Sequence, residues 1–427
     1  MDFEVKTEGV LAESPEVQQK NGLLYELPQS LSSSVKKTYV EQQSQRTEYV
    51  PGQTMVFDMN VGSSFIDPEN SYLTFDIASG DAAATSSNYV PLKPRVGAIG
   101  LIKEIHIHAK SGVELDRIQD VNQYSICRSR LKNNSDYFVW SKQWGATNNA
   151  DVTAGVPYLG RIGNVAKKVS IPMKEISGLF CPTVKGMKMP NGLISGARIE
   201  ITLESYARAF GTEQGTMNST DTYTISDPVI TCLYHTLTDN SMRVLNEEST
   251  ENGLEYTYTR VFTTSEPTSQ TASNIQIKKA VAQGVRALSC CIATDKLADS
   301  AENSFDGDYA YTSAQWRIGS MFYPQQRMDN LTDIYQHSMN TYNKQPSSDW
   351  WGFNYDIDNY YDSTRNMIIG SSFETDQRLN LSGIPINNSA TLTLECTTEA
   401  GGSRTIFVFL EYVAVATSYL TNVDVKI

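Results

Sequence analysis

The end of this chain repeats the pattern of its middle. Ser195–Glu204 alternates apolar and polar residues, and Asp227–His235 follows as a second strand-like run. Near the C-terminus, Asn388–Cys396 is followed in the same way by Arg404–Val413. Each pair closes a segment of roughly 180–200 residues that is rich in short strands, far longer than a solenoid repeat. The period therefore predicts two β-sandwiches in tandem, with short helices in their connecting loops.

A length of 427 residues accommodates two large cores. Tyr is abundant at 23 residues and charged residues make up only 19%, which favours strands and polar turns over surface helices. Residues 1–50 are polar and predict an extended N-terminal arm that docks on a neighbour. The first sandwich is expected at 51–240, a polar linker at 241–253 and the second sandwich at 254–427.

Within the first sandwich, Met55, Phe57, Met59 and Val61 alternate with polar neighbours, as do Leu73, Phe75 and Ile77. Period two marks half-buried strands. Leu101–Ala109 is a third, with Ile105 and Ile107 on one face and His106 and His108 on the other. Leu115, Ile118, Val121, Tyr124 and Ser125 fit helical spacing and predict a short helix. In the second sandwich, Tyr256, Tyr258 and Arg260 alternate with their neighbours. Val285–Ala293 is a nearly continuous apolar run suited to a central strand, and Leu331, Ile334, Tyr335, Ser338 and Tyr342 share one helical face.

No motif for catalysis emerges. There is no phosphate-cradling Gly-rich loop, no HExxH and no GxSxG, and four histidines leave few general bases. No catalytic residue, cofactor or resident metal is expected. His106 and His108 could share an ion, but the local sequence offers only Glu104 as a third ligand. Asp356, Asp358 and Asp362 resemble a calcium loop loosely, and Tyr360 stands where a short ligand belongs. The six cysteines are scattered without a CxxC pair and are expected as buried, reduced thiols. The first residues, Met1–Lys6, lack the pattern of a signal peptide, and no apolar run approaches the ~20 residues of a membrane-spanning helix. A soluble chain made in a reducing compartment is expected.

The net charge is −13, and residues 1–50 carry eight acids against five bases. Phosphate binding needs clustered Lys and Arg, so direct, sequence-specific nucleic-acid binding is not expected. Two aromatic loops stand out instead. Tyr137, Phe138, Trp140 and Trp144 lie in one, and Trp350, Trp351 and Phe353 in the other. Long aromatic loops in a strand-rich chain serve contacts between subunits, and these seven residues are the candidate interface anchors.

Four stretches carry a family resemblance. They are Asn70–Phe75; Leu101–Ile105 running through Ser111–Ile118; Ile171–Met173 with Ser177–Phe180, Met189-Pro190 and Ala197–Glu204; and Arg317–Ser320 with Tyr323-Pro324 and Ser382–Ile384. In that order the chain resembles the double jelly-roll major capsid proteins of polinton-like viruses and virophages, and more distantly the adenovirus hexon. The resemblance implies two eight-stranded jelly rolls. It also implies a homotrimer forming a pseudo-hexameric capsomer, and an icosahedral shell around double-stranded DNA. Implied partners are the chain itself, penton and minor or cement proteins, and an inner membrane. The implied location is the virion, after synthesis in the host cytoplasm or nucleus. The alternative is a tandem β-sandwich that binds a receptor or carbohydrate through its aromatic loops, as a spike would.

Overall fold

Among the described residues sixteen strands form the paths of the four main sheets, eight in each half of the chain. The computed structural model describes residues 36–62, 64–80, 90–92, 96–132, 140–146, 159–210, 222–293, 311–342, 368–374, 383–387, 390–399, 402–419 and 422–427. In the first half the strands are β1 (Lys36–Gln43), β2 (Thr54–Asp58), β3 (Phe65–Ser79), β4 (Ile102–His108), β5 (Glu114–Gln119), β6 (Lys167–Pro172), β7 (Arg198–Leu203) and β8 (Tyr223–Thr236). In the second they are β9 (Leu254–Thr268), β10 (Ala272–Ile277), β11 (Val281–Ala293), β12 (Tyr311–Ile318), β13 (Met321–Met328), β14 (Ile368–Ser372), β15 (Leu392–Thr398) and β16 (Arg404–Ser418).

The pairing order is the same in both halves. One sheet of the first half runs β1-β8-β3-β6 and the other β2-β7-β4-β5. One sheet of the second runs β9-β16-β11-β14 and the other β10-β15-β12-β13. In each half the first strand of eight therefore pairs with the last and the second with the seventh. This is the jelly-roll order, two Greek keys folded over one core. Helices α1 (Val121–Lys132) and α3 (Leu331–Met339) occupy the same place, directly after the fifth strand of their roll. Helix α2 (Asp239–Glu251) lies between β8 and β9.

Two expectations are corrected. Lys36–Gln43, expected in the arm, is the first strand of the first roll and pairs with β8 from Lys36↔Thr236 to Gln43↔Val229. It lacks an apolar alternation because it is an edge strand with mostly exposed side chains. The first roll thus begins near residue 36 rather than 51. Leu115–Ile118, expected as helix, lies in β5, and the helix starts at Val121. Leu115 and Asp116 are buried consecutively beside a register shift at Ile107/His108, which breaks period two and imitates helical spacing.

The two faces of β16 serve different cores. Ile406, Val408 and Leu410 fill the second roll, while Phe407 and Phe409 join the core that continues into the first. β11 divides likewise, with Ala287 and Cys291 inward and Leu288, Cys290 and Ile292 toward the first roll. A strand buried on both faces reads as an unbroken apolar run, as these two do.

Candidate functional site: the seam between the rolls and the outer faces

The seam is built by α1, β5 and the turn at Gly178–Phe180 of the first roll, packed on the β9-β16-β11 face of the second. Alternate residues of β9 reach across it. The Tyr256 hydroxyl donates to the Leu179 carbonyl at 2.7 Å, Tyr258 donates to the Leu115 carbonyl, and Arg260 donates to the Glu114 carboxylate. Gly178 lies so close to β9 that a Cβ there would sit 1.7 Å from the Thr259 carbonyl oxygen.

A buried polar network crosses the same seam. Glu411 on β16 accepts from Tyr124 of α1 at 2.7 Å, from Tyr342 and from Arg286 at 3.0 Å. Arg286 also donates to Glu374 at 2.8 Å, and its guanidinium stacks 5.0 Å over the Tyr342 ring. Burial alone would raise the Glu411 carboxyl, but Arg286, Tyr342 and the nearby Arg128 hold it below its ordinary value. Burial and Glu411 keep the Tyr124 phenol well above its own, so it remains a donor. A cavity of about 190 Å³ opens between Arg128, Glu175, Arg286 and Glu411. Four of the charged residues around it are paired, Arg128 with Glu175 at 3.4 Å and Arg286 with Glu411, and Arg286 also with Glu374, while the Lys174 ammonium lies over the Trp140 ring. Breaking such buried pairs by removing one partner is costly, so they favour one setting of the rolls.

The outer faces differ between the rolls. The β9-β16-β11 face is covered by the first roll, whereas among the described residues no sheet of the second roll packs on the equivalent β1-β8-β3-β6 face. It carries a groove of about 750 Å³ lined by Tyr39, Glu41, Tyr72, Lys168, Thr231 and Trp140. Conversely, β5 packs against β9, while its counterpart β13 is largely exposed, with Met321 51% and Phe322 39% accessible.

Of the predicted anchors, Trp140 borders the groove, with the Lys174 ammonium 4.7 Å from its ring centroid. Trp144 is 1% exposed and meets Trp140 edge-on at 5.0 Å. It is a core residue of the first roll and is withdrawn as a surface anchor. Tyr137, Phe138, Trp350, Trp351 and Phe353 lie outside the described residues, as do Asp356, Asp358 and Asp362. All six cysteines are free, with only Cys181 partly exposed.

On the outer face of β4, Glu104 does not join the histidines and binds Arg117 at 2.8 Å instead. Glu200 of β7 stands opposite His106 in the ladder, and its carboxylate lies with His106 and His108 in one cluster. A pairing between strands almost a hundred residues apart left no local signal.

Two eight-stranded jelly rolls stacked in one chain define the double jelly-roll class, the fold of viral major capsid proteins. Among solved structures the chain is similar to the Faustovirus major capsid protein, with a TM-score of 0.60, 7% identity, and 93% of this chain and 92% of that one covered. It is similar to the PBCV-1 virus capsid protein, at TM-score 0.58 and 9% identity over 94% and 99% of the two chains. The mavirus major capsid protein follows at TM-score 0.52 and 11% identity over 94% of each chain. At these identities the likeness is one of fold. No family model and no curated protein matches the sequence.

Proposed function

We propose that the chain is a major capsid protein, whose role is to assemble rather than to catalyse. Three copies form a pseudo-hexameric capsomer of six jelly rolls, and capsomers tile an icosahedral shell around double-stranded DNA. The observation that carries this reading is the unsatisfied half of an internal contact. Inside the chain, the β5–α1 side of one roll covers the β9-β16-β11 face of the next. Among the described residues the chain then presents the equivalent two surfaces again with no roll against them: the β13–α3 side of the second roll and the grooved face of the first.

A head-to-tail contact repeated between copies forms either a closed ring or an open filament. Six rolls from three chains make the closed ring. Exposed Met321 and Phe322 on one side, and Tyr39, Tyr72 and Trp140 on the other, supply the apolar and aromatic area that obligate interfaces use. Trp350, Trp351, Phe353, Tyr137 and Phe138 remain candidate anchors of the same assembly. Penton, minor or cement proteins and an inner membrane are the proposed further partners, and the net charge of −13 suits a protein that does not itself grip the genome.

Negative-stain imaging of the purified chain tests the reading. Compact particles of hexagonal outline, or closed shells, are expected. Isolated monomers that bind glycans on an array would instead support the receptor- or carbohydrate-binding alternative.

A further inference from the structure

Two histidines on one strand and a carboxylate on the next form a ligand set that the assembly does not use. His106 and His108 are two apart on β4 and so share its outer face. Glu200 is the cross-strand partner of His106 on β7. One ligand atom from each of the three lies within 4.8 Å of the other two, and all three side chains are partly buried.

The hydrogen bonds orient the rings for a metal. His106 Nε2 lies 3.1 Å from the Glu114 carboxylate, which accepts its proton. That bond leaves Nδ1 of His106 as the lone-pair nitrogen, and Nδ1 is 3.1 Å from Nε2 of His108. Two ring nitrogens this close share either a proton or an ion. The edge of a tetrahedron around zinc, with Zn–N near 2.0–2.1 Å, is about 3.3–3.4 Å. A carboxylate on the far nitrogen of a ligating histidine is the usual outer partner in zinc sites. Glu114 is itself gripped by Arg260 of the second roll, so the support reaches across the seam.

The neighbouring cations are accounted for. Arg117 binds Glu104, and Arg198 lies between Asp58, at 3.4 Å, and Glu200, at 4.0 Å.

We propose that His106, His108 and Glu200 bind one zinc-class divalent ion per chain, with Glu114 as the outer carboxylate and water in the remaining position. Imidazole nitrogen with one carboxylate selects zinc over calcium or magnesium. The ion clamps β4 to β7 and, through Glu114 and Arg260, ties that sheet to the second roll.

The test is zinc titration of the full chain by calorimetry, with metal content measured after dialysis and the Co²⁺ visible spectrum as a probe of nitrogen ligation. The wild type is expected to retain one zinc and to melt higher as zinc is added. The His106→Ala/His108→Ala variant is expected to lose the saturable site and the Co²⁺ bands. Glu200→Gln, nearly isosteric and partly exposed, is expected to bind at least about tenfold more weakly, and Glu114→Gln about 10–100-fold more weakly. If the histidine variant does not fold, the two glutamine variants decide the matter. Failure of the wild type to retain zinc, or equal zinc in wild type and all variants, overturns the proposal. The outcome is independent of whether the chain forms capsomers.

Discussion

The Tyr124 hydroxyl donates to the Glu411 carboxylate across 2.7 Å of space and 287 positions of sequence. One residue belongs to the helix after the fifth strand of the first roll, the other to β16 of the second. Together with Arg286 they hold the two rolls at a fixed setting, and an assembly built from repeated contacts depends on that setting.

Removing the acid at the centre of this network leaves the Arg286 guanidinium with Glu374 alone and takes the acceptor from the Tyr124 and Tyr342 hydroxyls. Glu411→Ala is expected to destabilise the protomer by about 3–5 kcal/mol. Tyr124→Phe, which removes one bond to a charged group, is expected to cost about 1.5–3 kcal/mol. Chemical denaturation followed by tryptophan fluorescence measures both.

The same acid gives the seam a pH dependence. Its carboxyl lies below the ordinary glutamate value of 4.5 in the folded protein. A depressed carboxyl contributes stability that is present above the unfolded value and lost as pH falls through the folded one. The melting temperature is therefore expected to drop as pH is lowered below about 4.5, and less steeply in Glu411→Gln than in wild type.

Gly178 has no room for a side chain. The new methyl of Gly178→Ala would meet the Thr259 carbonyl on the backbone of β9, which cannot rotate away as a side chain would. A loss of about 3 kcal/mol or more is expected, with the rolls forced apart along β9. Two separated melting transitions in calorimetry would report that separation, and an unchanged single transition would contradict it.

The two neighbouring tryptophans should behave differently. Trp144→Ala opens a core cavity and is expected to cost about 3–5 kcal/mol in the protomer. Trp140→Ala borders the groove and is expected to weaken subunit association more than protomer stability, as is Phe322→Glu on β13. Unfolding curves and sedimentation velocity on the same samples separate the effects. Stable trimers in both Trp140→Ala and Trp350→Ala/Trp351→Ala would remove the aromatic loops from the interface.

How much of this was legible in the sequence depended on what each strand faces. β3 and β4 alternate cleanly because one face is core and the other is not, and β11 reads as a continuous apolar run because both faces are buried. The row of Tyr256, Tyr258 and Arg260 was visible as an alternation, though not its partners across the seam. β1 was invisible because an edge strand with exposed side chains carries no apolar period. β5 was misread because Leu115 and Asp116 are buried in succession. Glu200 could not be placed beside His106, since that pairing is set by the register of β7 on β4. Trp144 was misplaced because an aromatic loop residue turns inward as easily as outward, and only the packing against Trp140 decides.

The central claim is that the chain leaves two complementary surfaces open for its own copies. Light scattering on a sizing column tests it most directly. The account predicts a closed trimer of 47.4 kDa chains, about 142 kDa, with no higher open series at moderate concentration. A well-behaved monomer of 47.4 kDa would contradict it.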